Sequence, residues 1–102
     1  MAAESAFRLD RAEPDTLAVS GTLGFATATE AWRALDEALR VGDRSQLDLA
    51  GVRSCDSAGL ACVLAVLAAA RKRGQAVGLQ HVPDGLRTLA QVSGVEAMLA
   101  AG

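Results

Sequence analysis

Apolar and polar residues alternate along AFRLDR at positions 6–11, the period of a half-buried strand. Glu13, Pro14 and Asp15 supply turn chemistry, and the alternation resumes at Thr16, Leu17, Ala18, Val19 and Ser20. A β-hairpin is therefore expected to open the fold, with Gly21 ending its second strand. The period then changes. Trp32, Leu35 and Leu39 recur at spacings of three and four, which puts them on one face of a helix with Gly42 as its stop. Thr27 and Glu30 stand where a capping box would satisfy the free N–H groups of its first turn.

A short strand is predicted over residues 46–50, followed by a loop over residues 51–55. Asp56 is placed to cap a second helix whose apolar stripe is Leu60, Val63, Leu64 and Leu67, widened by Val66 and several alanines. This stripe predicts the most buried helix, with Leu64 at its middle. Arg71, Lys72 and Arg73 fall in its last turn, where the helix dipole favours cations, and Gly74 ends it. Residues 76–80 read as another strand. Pro83 and Asp84 open a third helix through Leu86, Leu89 and Ala90, and Gly94 precedes a terminal segment ending in Leu99. The order β-β-α-β-α-β-α implies one α/β domain over residues 1–102, with a mixed, mostly parallel sheet packed with helices.

Composition narrows the function more than the fold. Ten Lys and Arg against 12 Asp and Glu leave a net charge of −2, and only 3% of residues are aromatic, so neither a phosphate-neutralising surface nor a base-stacking platform is expected. The hydrophobic share of 51% excludes a disordered chain. Residues 1–13 mix charges among their apolar positions and do not resemble a signal peptide. The longest uncharged stretch, residues 57–70, falls short of the roughly 20 residues a spanning helix needs, so no direct membrane insertion is expected. Cys55 and Cys62 would lie about 10 Å apart on a common helix, beyond disulfide reach, which fits reduced thiols in a cytoplasmic protein.

Enzyme motifs are missing. The chain has no phosphate loop, no dinucleotide fingerprint, no zinc-binding H-E-x-x-H, no C-x-x-C and no nucleophile elbow. The sole histidine, His81, sits at a strand end, where a solvated or locally bonded role is expected. A hydrolase built on Ser57 and His81 has no supporting motif. No catalytic residue, metal or cofactor is therefore assigned.

One segment stands apart: Arg53, Ser54, Cys55, Asp56, Ser57, Ala58, Gly59, Leu60. It places a serine at the positive end of a buried helix, an end that attracts anions and offers N–H groups to a partner. Asp56 and Ser57 are equally able to act as plain helix caps. Gly59 weakens the first turn by roughly 1 kcal/mol relative to alanine. Its presence there points to a close approach, either by another part of the fold or by a partner.

The run Asp56-Ser57-Ala58-Gly59-Leu60, with the strand before it and the apolar helix after it, resembles the signature of the STAS domain family. The corresponding motif of bacterial anti-anti-sigma factors in that family is Asp-Ser-Ser/Thr-Gly-Leu. Ala58 brings this chain nearer to the STAS subunits of bacterial phospholipid-transport ABC complexes, as do residues 19–27, Trp32 and residues 89–95. The resemblance implies a non-catalytic subunit that binds the ABC transporter ATPase subunit at the inner membrane, with Ser57 as the contact hydroxyl. Asp56 would orient the loop and Gly59 would permit close approach; by expected proximity alone, Arg53 and Ser54 would form the rim and Thr22 and Leu23 would complete the patch, unless these last two are ordinary loop and core residues. The alternative it implies is an anti-anti-sigma factor whose Ser57 is the phosphoacceptor of an anti-sigma factor kinase.

Overall fold

A computed structural model describes residues 7–42, 44–95 and 97. The hairpin forms as expected: β1 (Phe7–Asp10) runs antiparallel to β2 (Thr16–Leu23), with Leu9 opposite Val19. After α1 (Ala28–Gly42) comes β3 (Gln46–Cys55), then α2 (Ser57–Lys72), β4 (Gly78–Gln80) and α3 (Asp84–Val92). The sheet order is β1-β2-β3-β4, and β3 lies parallel to both β2 and β4. A mixed, mostly parallel sheet results. Leu17 pairs with Leu47, and these two with Val19 and Leu49 form the fully buried face on which the helices rest. The start of the first strand at Ala6 and the terminal segment to Leu99 lie outside the described residues.

Two strands are longer than the pattern predicts. Gly21 does not end β2: it takes a φ of 97°, which a residue with a side chain rarely adopts, and the strand continues through it to Leu23. The expected loop at residues 51–55 is the second half of β3. From Ala18 to Ser20 on β2, the partner advances from Asp48 to Gly51, and from Gly21 to Thr22 it advances from Val52 to Ser54. β3 thus carries two extra residues, and bulges of this kind break the alternation that a strand reading relies on. A Cβ at Gly51 would stand 2.6 Å from the Ser20 Cβ, so the first bulge brings the strands too close for a side chain. β4 is shorter than expected, with three residues.

Helix α1 is held by Ala31, Leu35, Ala38 and Leu39. Trp32 does not join this buried set and is 36% exposed, because the neighbours at its height are alanines too small to cover an indole. Nor does the capping box form. The buried Thr27 hydroxyl turns back to the preceding loop, accepting from Gly24 N at 3.0 Å and donating toward Gly24 O and Thr22 O.

Helix α2 ends as predicted, with Gly74 at φ 81° and Gln75 N returning to Ala70 O at 2.8 Å. Gln75 Nε2 then donates to Leu39 O and Arg44 O, and Arg73 pairs with Asp36 at 2.9 Å, which ties the far ends of α1 and α2 together. The buried stripe of α2 centres on Val63 and Val66 rather than on Leu64, which is only half-buried. Helix α3 has no side-chain cap, and a Cβ on Gly85 in its first turn would meet nothing within 4 Å. Gly85→Ala is expected to stabilise the fold by about 0.5–1 kcal/mol, through helix propensity and a less flexible unfolded chain. A lowered urea midpoint for that variant would contradict the placement of α3.

Candidate functional site

Where β2 hands over to α1 and β3 to α2, the two connections meet around Asp56. Its backbone is extended (φ −106°, ψ −171°), as an N-cap requires. Asp56 Oδ1 accepts from Gly59 N at 3.0 Å and so caps α2, while Oδ2 accepts from Phe25 N at 3.1 Å in the opposite connection. Its own N–H donates to Leu23 O at 3.3 Å. One carboxylate therefore joins a helix N-terminus to a loop 31 residues earlier.

Those N–H groups, Gly59 first and Phe25 second, hold the Asp56 carboxyl below its ordinary value of 3.8. A depressed folded value means that this stabilisation is full above the unfolded value and is lost as pH falls through the folded one. Acid titration of the wild-type protein should thus show a stability loss below about pH 4. Asp56→Asn should shrink that loss, and an unchanged acid limb would contradict the hydrogen-bonding scheme. Asp48 adds a second, separate contribution: burial pushes its carboxyl up, but the Ala50 N–H and His81 outweigh it and the net shift is downward.

Gly59 packs against Leu23, with no room for a side chain between α2 and the end of β2. The close approach expected at this glycine is therefore made by the fold itself. Ser57, the first residue of α2, is exposed beside Asp56, and Arg53 and Ser54 are exposed near the end of β3. Thr22 is half-buried opposite Ser54, with its carbonyl facing the Thr27 hydroxyl. Leu23 is fully buried, so it reaches the site only through its carbonyl and its side chain belongs to the core.

Beside these residues lies a groove of about 490 Å³ that sequence reasoning missed. Phe25 and Trp32 form its sides, with Ala28, Thr29, Ala58, Ala61 and Cys62 also lining it. Phe25 is 86% exposed. The only hint in the sequence was a large apolar residue between Gly24 and Ala26, and hydrophobic periodicity has no means of reading a loop residue.

Burial, with Asp56 and Cys62 nearby, pushes the Cys55 thiol up to about 11, and burial does the same to Cys62. Both stay protonated at neutral pH. Cys55 closes β3 rather than lying on α2, so the helical spacing first used to separate the two does not apply, although both are free.

His81 Nδ1 lies 3.0 Å from Asp48 Oδ1. The seven steps along β3 from Asp48 to Cys55 put this pair about 20 Å from the Ser57 end of the strand, too far for a shared catalytic group. Among the described residues no three His, Cys, Asp or Glu side chains converge to hold a metal ion. Among them also, no helix is long and apolar enough to cross a membrane.

Comparison with known proteins agrees with this architecture. The family model described as "Mlab, STAS domain" matches residues 7–100. The intermembrane phospholipid transport system binding protein MlaB of Escherichia coli K12 is 36% identical over 83 residues, covering 81% of this chain and 84% of that protein. MlaB of Shigella flexneri matches with the same identity and coverage. Among solved structures, the anti-sigma factor antagonist SpoIIAA in its unphosphorylated form superposes with a TM-score of 0.62 at 18% identity, over 84% of this chain and 82% of that one. The phosphorylated form of the Bacillus cell fate determinant SpoIIAA gives 0.64 at 18% identity, over 91% and 87%. The SpoIIAA likeness is one of fold, whereas the family match extends from β1 to beyond α3, and the chain belongs to the MlaB-type STAS domain family.

Proposed function

We propose that this protein is a non-catalytic subunit of a bacterial phospholipid-transport ABC system, docking on its cytoplasmic ATPase through the surface around Ser57. The observation that carries the reading is the exposed Ser57 hydroxyl beside an apolar groove with Phe25 and Trp32 at its sides. An indole and a phenyl left in water beside a polar rim have the composition of an interface centre rather than of ordinary surface. Relatives at 36% identity that are named as binding proteins of a phospholipid transport system support the choice of partner. The protein would then sit at the inner membrane by way of its partner. Phosphorylation of Ser57 by an anti-sigma factor kinase is the competing use of the same hydroxyl, supported by its exposed position at a helix N-terminus.

The two uses place opposite demands on charge. A docking hydroxyl has to be small and neutral, so Ser57→Thr should retain binding. Ser57→Ala should weaken it by roughly 1–3 kcal/mol if the partner's group is left buried and unpaired. Ser57→Asp should weaken it most, because it brings a second carboxylate next to Asp56 in a surface that must lose its water. Co-purification with the ATPase subunit, followed by titration, tests the order Ser ≈ Thr > Ala > Asp. Undiminished capture by Ser57→Asp removes Ser57 from the interface. No capture of the ATPase by any form, together with a phosphate on Ser57 in protein from its native cell, favours the kinase reading.

A further inference from the structure

The loop that carries Phe25 is fastened in an unusual way. Two consecutive backbone N–H groups, those of Gly24 and Phe25, are each taken by a side chain, and the two side chains come from opposite ends of the site. Gly24 N donates to Thr27 Oγ1 at 3.0 Å and Phe25 N donates to Asp56 Oδ2 at 3.1 Å. Thr27 is buried, and its hydroxyl also donates back to the loop carbonyls of Thr22 and Gly24, so the turn is closed from inside. Asp56 closes it from outside while its other oxygen caps α2. A Cβ on Gly24 would stand 3.1 Å from Asp56 Oδ2, which shows how tightly the carboxylate sits on the turn.

The consequence falls on Phe25. A phenyl ring at the side of an apolar groove would ordinarily fold into it and shed water. Here the ring is 86% exposed, and the backbone on which it rides is held on both sides. A loop backbone held in this way loses little further freedom when a partner covers the ring, and preorganisation of that kind strengthens binding.

We infer that Phe25 is a preset anchor for the partner, and that Asp56 and Thr27 are positioning residues that act through it rather than touching the partner. The inference rests on the docking reading above and assigns the specificity of that surface to the loop. Asp56 also makes the loop sensitive to the start of α2: any change that draws its carboxylate toward the helix N-terminus loosens Phe25.

A double-mutant cycle separates positioning from contact. The titrant is the purified ATPase subunit. Phe25→Ala, at an exposed position, should bind about tenfold or more weakly with an unchanged thermal melt. Asp56→Asn keeps one acceptor oxygen for two donors and should lose a similar factor. Combined with Phe25→Ala, it should lose no more than about twofold further. Losses that multiply in the double variant would mean that Asp56 meets the partner directly. Full affinity in Phe25→Ala would remove the anchor while leaving the Ser57 reading intact.

Amide exchange on the free protein gives the second readout. The Gly24 and Phe25 amides should be protected in the wild type. The Phe25 amide should exchange faster in Asp56→Asn by a factor at least tenfold greater than that of Leu47 in the core, which reports only the change in global stability. Thr27→Val should free the Gly24 amide, and Thr27→Ser, which keeps the hydroxyl, should restore it. Unprotected wild-type amides overturn the latch. A protected loop on a chain that does not bind the ATPase at all overturns the docking reading, and with it the anchor.

Discussion

Alanine at position 59 is expected to destabilise the protein by about 3 kcal/mol, although alanine is the best helix former and position 59 lies in the first turn of α2. The added Cβ would fall on Leu23 O, and it would stand 2.7 Å from Leu23 C and 2.8 Å from Cys55 Sγ. The two Leu23 atoms are backbone and cannot turn aside, and only the Cys55 thiol could rotate away. Leu23 is the last residue of β2, is paired with Cys55, and accepts the Asp56 N–H through the same carbonyl. To make room, α2 would have to slide off the sheet, and both Asp56 hydrogen bonds would go with it. The roughly 1 kcal/mol gained from helix propensity does not offset this. Urea denaturation with an unchanged slope measures the loss directly. A Gly59→Ala midpoint within experimental error of wild type would show that α2 starts further from β2 than the structure places it.

That glycine also marks how far the sequence can be read. A glycine inside a helix says that something comes close, and the residues around it name the helix and its cap; Asp56 was legible for that reason. What comes close was not legible, because Leu23 is 36 positions away and its side chain, buried in the core, takes no part in the contact. The order of elements was readable because Leu17, Val19, Leu47 and Leu49 alternate cleanly, while Leu35 and Leu39 keep helical spacing. The bulges that lengthen β3 leave no such mark, since two extra residues shift the period and imitate a loop.

Trp32 illustrates a different limit. It sits at the right angle for the core and at the wrong height, beside Ala58 and Ala61, so only the neighbouring helix decides its burial. Thr27 and Glu30 match a capping pattern, yet the hydroxyl finds a better partner in the loop behind it. The residues proposed as anchor and latch, Phe25 and Thr27, both belong to that loop. The Phe25 backbone is fastened by a carboxylate 31 positions further on, which no local pattern encodes.

Leu35→Ala should cost about 2–5 kcal/mol, and Leu64→Ala about 1 kcal/mol, although both remove the same atoms from a helix stripe. The difference is burial. Leu35 is fully enclosed at the centre of the α1 face, among Ala31, Ala38 and Leu39, and the small size of the two alanines leaves little beside it to fill a void. Leu64 lies at the edge of the α2 stripe and is already partly in water, so its truncation removes less apolar contact and leaves an opening that solvent can enter. Val63 and Val66, both fully buried, hold the positions that periodicity assigned to Leu64. Leu35 further seats the helix that carries Trp32 three residues earlier, so a cavity beneath it should loosen the groove wall as well as the core. On the docking proposal, loss of stability and loss of ATPase binding should therefore move together in Leu35→Ala, whereas Leu64→Ala should shift stability slightly and binding not at all. Equal denaturation midpoints for the two variants would show that α2 is rotated about its axis relative to the packing described, with Leu64 turned into the core.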